Sequence, residues 1–479
     1  MPHTATSLSA SLASILAADR VLSDPSELAA YAVDEVTPGV VAKPSNAEQA
    51  AEIVKFALYD KLAVIPVGSR SKLGIGNVPA RYDIALDLTA LDQIAHYDPG
   101  DLTLSVDAGC TLRQIGDTLL AQQQFLPLSG AFGFQSTVAG TIASGIDSPL
   151  RQFYGTARDF LVGAEFVDGT GAQVKSGGRV VKNVTGYDLH KLFIGSLGTL
   201  GIITRLNFRT FPAIDGGDSQ SATFCAKFAD AAAAIAFRQK IAASVFTFDA
   251  VEIVSPELVR IVAAKNPSAG EPTSVALGNW FSPEHWHVVV QYHGTPEVRG
   301  RYEAALREFA VDAGANTNAT SPAQSEGNRS SEFGSEARTM GAFVNAAPRI
   351  LREASPGATI FKIAQLPAKL PELFNSLSAV ADEAQIPHAL FAHGLGITYF
   401  ALLPPEPLRD ATVAQLAPVA TKIFAKCAAQ SATAQIQFAP TPLKRHLNIL
   451  GLERPDFAAM RRLKSAFDPH NTLAPGRLF

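Results

Sequence analysis

Apolar positions recur along this chain with two spacings, one helical and one alternating, and the switches between them outline its elements. In "SNAEQAAEIVKFALYDKLAVIPV", residues 45–67, Ser45 stands three residues before Glu48 in a capping-box pattern, and apolar residues then follow helical spacing through Leu58. "LAVIPV" reads as a buried strand. "YDIALDLTAL" and "DLTLSVDAG" read as short alternating strands, and "TLRQIGDTLLAQQ" as a helix. Between 127 and 212 the texture changes: glycines become frequent, and "FLVGAEFVDGTGAQVKSG" predicts a hairpin with "DGTG" at its turn. Arg205 to Pro212 alternates as one more strand.

Beyond Pro212 a different rhythm begins. "WHVVVQYHG", "ATIFKIAQLP" and "GITYFALLP" predict strands, and "TPEVRGRYEAALREFAVDAG" and "AKLPELFNSLSAVADEAQ" predict helices, so a second, α+β region is expected. Residues 319–345, rich in Ser, Gly, Asn and Glu, predict a long surface loop or lid. A short helix is expected over Ser9–Ala18, and the tail predicts a helix followed by an extended end. No internal repeat is evident.

At 479 residues the chain has room for two or three domains, and 47% hydrophobic with 18% charged residues is ordinary for a globular protein. The formal net charge of −4, without a Lys/Arg block, argues against nucleic acid as the main partner. No apolar run reaches the ~18 residues of a bilayer span, and the N-terminus lacks the basic region and apolar core of a signal peptide. At most, peripheral docking on a membrane is expected. Cys110, Cys225 and Cys427 lie far apart with no CxxC pair. Inert thiols are expected, and a zinc site or iron–sulfur cluster built from this chain alone is not.

"KNVTGYDLHKLFIGSLGTLGIIT", Lys182 to Thr204, is the least ordinary stretch. Each interior-helix glycine costs about 1 kcal/mol against alanine, so glycines at 186, 195, 198 and 201 imply that something approaches the backbone closely. Two further loops share this texture, "PVGSRSKLGIG" from Pro66 and "PLSGAFGFQSTVAGTIASG" from Pro127. The first can turn backbone N–H groups toward an anion, but it matches neither the Walker pattern nor GxGxxG. On residues alone, an ordinary turn with solvated cations remains the other reading.

Together, in this order and spacing, these loops resemble the FAD-linked oxidases of the vanillyl-alcohol oxidase / p-cresol methylhydroxylase (PCMH) type. The resemblance covers most of residues 30–212 and returns at "FDPHNTLAPGRLF". It implies an α+β fold: a PCMH-type two-lobed FAD-binding domain over 1–212, an α+β cap with an antiparallel sheet over 213–450, and a segment, 451–479, returning to the FAD domain. It implies one FAD lined by Pro66, Gly68, Ser69, Arg70, Ser71, Lys72, Pro127, Ser136, Thr137, Gly140, Thr141, Gly198, Gly201 and Ile202. The glycines of the 182–204 stretch would then let backbone pack against the nucleotide. Where the family runs three consecutive glycines, this chain has Gly-Ser-Arg, and Arg70 or Lys72 would supply charge instead. With no His in that loop and no Cys between 111 and 224, non-covalent FAD is expected.

The cap segment "LREASPGATIFKIAQLP" resembles the one that supplies substrate-binding cations in flavin 2-hydroxy-acid dehydrogenases, which points to Arg352 and Lys362; a helix-end arginine and a strand-edge lysine is the bland alternative. "FAHGLGITYF" keeps His393, Gly394 and Gly396 of those enzymes' "GHxGDGNxH" but loses the acid and second histidine, so no metal is expected. "APTPLKRH", followed by the C-terminal motif, is similar to the FAD-binding subunit type of bacterial glycolate oxidases. The resemblance implies oxidation of a small 2-hydroxy acid, with His393 or Tyr399 as the base. It also implies an iron–sulfur subunit and a second flavoprotein as partners, and a cytoplasmic location, peripheral to the inner membrane face at most. A non-catalytic, FAD-holding relay subunit is the competing expectation. A nicotinamide-dependent Rossmann enzyme is disfavoured by the lack of GxGxxG after any predicted strand.

Overall fold

The computed structural model describes residues 5–179, 186–213, 221–264, 281–315, 346–394 and 396–478. The loop expected over 319–345 lies outside them. The chain divides into two compact units, one of Met1–Asp147, Thr156–Pro212 and Glu453–Phe479, the other of Ser148–Gly155 and Ala213–Leu452. The short segment 148–155, inside the span expected for the first domain, thus belongs to the second unit.

Unit 1 holds two main sheets. β1 (Val21–Leu22), β2 (Val40–Ala42), β4 (Ile84–Asp87) and β3 (Val64–Val67) form one in that order, with β2, β4 and β3 parallel. The C-terminal segment runs beside β3: Val64 N–H donates to the Thr472 carbonyl and Ala474 N–H to the Val64 carbonyl, both at 2.8 Å. The second sheet is antiparallel, ordered β5 (Ile94–Asp98), β6 (Thr103–Asp107), β10 (Ile202–Arg209), β8 (Leu161–Val167) and β9 (Gln173–Gly177). β7 (Gln124–Phe125) and β11 (Phe211–Pro212) add a two-residue pairing.

The helix Ala47–Tyr59 turns Ala50, Ile53, Val54 and Ala57 into the core between these sheets, as its spacing predicts. Its cap is one residue later than expected. Asn46, not Ser45, accepts the Gln49 N–H (2.8 Å), and the Gln49 side chain accepts from Ser45 N–H in return. The N-terminal helix, by contrast, is earlier than expected, Ala5–Ala13, with a 3-10 turn at Ala18–Arg20. The β8–β9 hairpin forms where "DGTG" places it. Asp168 Oδ1 accepts from Thr170 N–H (2.9 Å) and Ala172 N–H (3.0 Å), and Gly171 takes φ +78°.

Among the described residues, unit 2 is built on a seven-stranded antiparallel sheet, ordered β12 (Ser221–Phe228), β14 (Trp286–His293), β13 (Ala250–Val254), β16 (His388–His393), β17 (Ile397–Leu402), β15 (Thr359–Ala364) and β18 (Thr433–Phe438). Helices Ala231–Ala243, Pro296–Asp312, Leu370–Glu383 and Asp410–Ala429 accompany it. β12, β13, β16 and β18 were not marked by alternation. β13 and β17 are buried at every position, so neither face shows a polar stripe.

His287 on β14 is fully buried, accepts the Ser282 N–H through Nε2 (3.0 Å) and lies directly across from Lys227. Burial first, then Lys227 and His285, push its pKa from 6.5 down to about 3. The unfolded chain therefore takes up a proton near pH 6.5 that the native chain refuses until about pH 3. The resulting stability is complete above pH 6.5 and is lost as pH falls through that window. Going from pH 7 to 5 costs unit 2 about 2 kcal/mol through this group. Thermal unfolding of His287→Gln should show a smaller pH 7-to-5 drop in Tm than the parent; an unchanged drop would assign the acid sensitivity elsewhere.

Candidate functional site

In unit 1, β3 delivers Pro66 and Val67 to the loop 68–76, and this loop sits against the start of the helix Val138–Ser144. A Cβ on Gly68 would lie 2.2 Å from Thr137 Oγ1, so only glycine allows that approach. Thr137 Oγ1 in turn accepts the Gly140 N–H (3.3 Å) and caps the helix. The opposite wall is a turn at 196–199, with Leu197 at φ +51°, Gly198 at φ +74° and Thr199 N–H donating to the Ser196 carbonyl (3.0 Å). A Cβ on Gly198 would lie 2.3 Å from the Pro66 ring.

These segments enclose a cleft with about 790 Å³ of atom-free space, counting its open mouth. Pro66, Gly68, Ser69, Arg70, Ser71, Lys72, Thr137, Gly140, Gly198 and Gly201 line it, with apolar walls from Ile65, Val67, Leu88, Ala108 and Ile203. Pro127, Ser136, Thr141 and Ile202 are not among the lining residues. Ser136 stands one layer behind, its Oγ 3.1 Å from that of Ser71, while Ile202 is a core residue paired with Val167. Gly201, besides lining the cleft, is hemmed in by the protein itself. A Cβ there would meet Phe193 (2.9 Å), the Val167 carbonyl (3.0 Å) and Phe166 (3.1 Å), so packing on this side also calls for glycine.

One end of the cleft is polar. Ser69 and Ser71 hydroxyls lie 3.3 Å apart, and Lys72 Nζ donates to Ser71 Oγ (3.0 Å). Arg70, at φ +64°, instead places its guanidinium 4.7 Å over the Tyr31 ring, whose hydroxyl donates to Asp87 (2.6 Å). A residue the motif search passed over holds the loop in shape. Arg477, in "APGRLF", is 4% exposed and donates to the carbonyls of Leu73 (2.6 Å), Ile75 and Asn77 (2.6 Å), with Asp34 Oδ2 at 3.3 Å balancing its charge. The donor set fits FAD: hydroxyls and an ammonium suit a diphosphate, and the apolar walls suit a planar ring system.

In unit 2, the cap residues share one face of the sheet. Lys362 lies directly across from Tyr399, and Tyr399 across from Phe391, with their rings stacked at 4.5 Å. His393 meets the Tyr399 ring edge-on at 5.4 Å and is 2% exposed. Its Nδ1 is hydrogen-bonded to Glu252 Oε2, from the strand partner directly opposite on β13. Burial raises the Glu252 carboxyl, opposed by His393, Arg238 and the Gly394 N–H. Glu252 is the second functional candidate that motif reading passed over; a lone carboxylate inside the apolar run "AVEIV" was its available mark. Arg352 lies over the Phe438 ring (5.1 Å), and Phe438 pairs with Ile360, two positions from Lys362 on β15. Gly394 is where Gln152 approaches: a Cβ there would meet Gln152 Oε1 at 2.2 Å, which ties the 148–155 segment to this cluster. Burial pushes the three thiols up, to about 12 each.

Residues 38–177 match the family model described as FAD binding domain, and residues 218–429 and 446–478 match that of FAD linked oxidases, C-terminal domain. The glycolate oxidase subunit GlcE of Escherichia coli (strain K12) is 35% identical over 162 residues, 34% of this chain and 46% of that protein. A D-2-hydroxyglutarate dehydrogenase of Xanthomonas citri pv. viticola is 30% identical over 204 residues, 42% of this chain and 43% of that protein. Both matches thus span less than half of the relative's length. The glycolate oxidase subunit GlcD of Bacillus subtilis (strain 168) is 24% identical over 443 residues, 92% of this chain and 89% of that protein. Among solved structures, p-cresol methylhydroxylase with substrate bound has a TM-score of 0.76 at 17% identity, covering 100% of this chain and 97% of that one. At that identity the likeness speaks for the fold, an α+β arrangement of the PCMH type. The C-terminal model alone spans more than half of the chain, and the FAD-binding model covers the segments that bring loop 68–76 to the helix at 138; the chain therefore belongs to the FAD-linked oxidases and carries their FAD-binding domain.

Proposed function

We propose that this chain oxidises a small 2-hydroxy acid to the 2-oxo acid and passes the electrons to a partner protein or quinone. The observation that carries the reading is the buried His393–Glu252 pair, on one sheet face with Tyr399 and Lys362. When bound, FAD supplies the two-electron acceptor that no side chain provides. Arg352 and Lys362 grip the substrate carboxylate. His393, with Nδ1 engaged by Glu252, offers Nε2 to the substrate hydroxyl proton as the Cα–H bond breaks. FAD is held non-covalently; the residues lining the cleft include no His, Cys or Tyr. The names of the relatives support the substrate class.

Two of those relatives are named as subunits of glycolate oxidase, which supports assembly into a complex. We place a second flavoprotein and an iron–sulfur subunit among the partners, since three separate, buried cysteines offer no cluster site. Among the described residues no helix is long and apolar enough to cross a membrane, and a cytoplasmic place, peripheral to the inner membrane face at most, completes the proposal. The loss of the acid and second histidine after His393 favours a second reading, a relay subunit that holds FAD without oxidising the acid itself.

Substitution of the two cations separates these readings. Loss of a charged hydrogen-bond partner should cost roughly 1.5–3 kcal/mol, or about 10- to 150-fold in kcat/KM, for Arg352→Ala or Lys362→Ala. Bound flavin should stay unchanged, because neither residue lies in the flavin cleft. Near-parental turnover of the assembled complex with both variants would favour the relay.

A further inference from the structure

We propose that Lys72 is the charge partner of the dinucleotide's diphosphate, and that it takes up a proton from solvent as the nucleotide enters the cleft. This rests on the assignment of the cleft to FAD and extends it. Lys72 Nζ faces the cleft with one hydroxyl, Ser71 Oγ (3.0 Å), and the Phe132 ring (5.6 Å) for company. Among the described residues it has no carboxylate partner. Burial lowers its pKa, to about 7, so an anion arriving beside the amine draws a proton onto it near and above neutral pH.

Among the described residues, the other charged side chains lining the cleft, Arg70 and Arg477, are engaged elsewhere. Arg70 sits over Tyr31, and Tyr31 donates to Asp87. Arg477 is locked among the loop carbonyls and Asp34, with Tyr82 near it. None of them contributes to the Lys72 shift. An arriving diphosphate would be the first anion beside this amine, and it favours the ammonium form. Lys72 thus adds a titratable charge to the backbone and hydroxyl donors of a loop that departs from three glycines.

Calorimetric titration of the full chain, stripped of flavin, in two buffers of different ionisation enthalpy reads the proton directly. FAD and ADP should each draw in about one proton at pH 8, and riboflavin none. FAD affinity should weaken by up to about tenfold per pH unit above pH 7 until the bound-state pKa is passed. Lys72→Met should abolish both effects, and Lys72→Arg, always charged, should bind without the slope. Binding of FAD without proton uptake, uptake driven equally by riboflavin, or an unchanged slope in Lys72→Met would each overturn the proposal. The parental titration decides the matter even where a variant fails to fold. A stripped chain that binds no FAD at all would overturn the cleft assignment, and the proposal with it.

Discussion

Gly198→Val should leave the protein without FAD. Gly198 sits at φ +74°, where a β-branched residue is strained, and its new Cβ would stand 2.3 Å and 3.0 Å from two Pro66 ring carbons. Pro66 cannot yield freely, because it lies on β3 next to the loop that carries Ser69 to Lys72. The conformational cost alone is about 1–2 kcal/mol, and overpacking against a rigid ring adds about 1–3 kcal/mol. Together these predict a loss of FAD affinity on the order of 100-fold or more. Gly186→Ala is the control: its φ is +80°, but among the described residues nothing lies within 4 Å of a new Cβ. It should keep its flavin. Flavin per chain, read after gel filtration, checks both variants, and a full complement in Gly198→Val would remove this turn from the cofactor site.

The largest kinetic effect is expected at His393. Removing a positioned general base typically costs 10²–10⁴-fold in rate, so His393→Gln should lose about that much in kcat while its flavin content holds. Taking away the imidazole leaves Glu252 in a fully buried place. Because burial already raises that carboxyl, it can take a proton and stay neutral, which limits the cost to the fold. Thermal unfolding of the variant checks this point. A kcat within a few-fold of the parent would exclude His393 as the base.

The sequence disclosed the parts of the site that follow from local chemistry. Glycines that must adopt positive φ, such as Gly198, stood out in the 182–204 stretch, and "GIIT" led into β10 as its β-branched run implied. What approached each glycine was not legible. Gly198 clears Pro66, distant in sequence, and Gly201 clears Phe193, which the intervening turn folds back onto it. Arg477 and Glu252 escaped for the same reason: their roles arise from carbonyls and a histidine brought near only by folding. β13 hid because burial on both faces erases the alternation that marks a strand. The 148–155 segment joins unit 2 in the middle of unit 1's span, which contiguous domain boundaries cannot express.

The central claim is that this chain, holding FAD, oxidises a 2-hydroxy acid itself. Anaerobic mixing of the purified flavin-loaded chain with glycolate and with D-lactate tests it most directly. The account predicts that one of these acids bleaches the flavin's visible band, and that His393→Gln slows the bleaching by about 10²–10⁴-fold. A flavin that a chemical reductant bleaches but neither acid touches, with bleaching only once partner subunits are added, would contradict it.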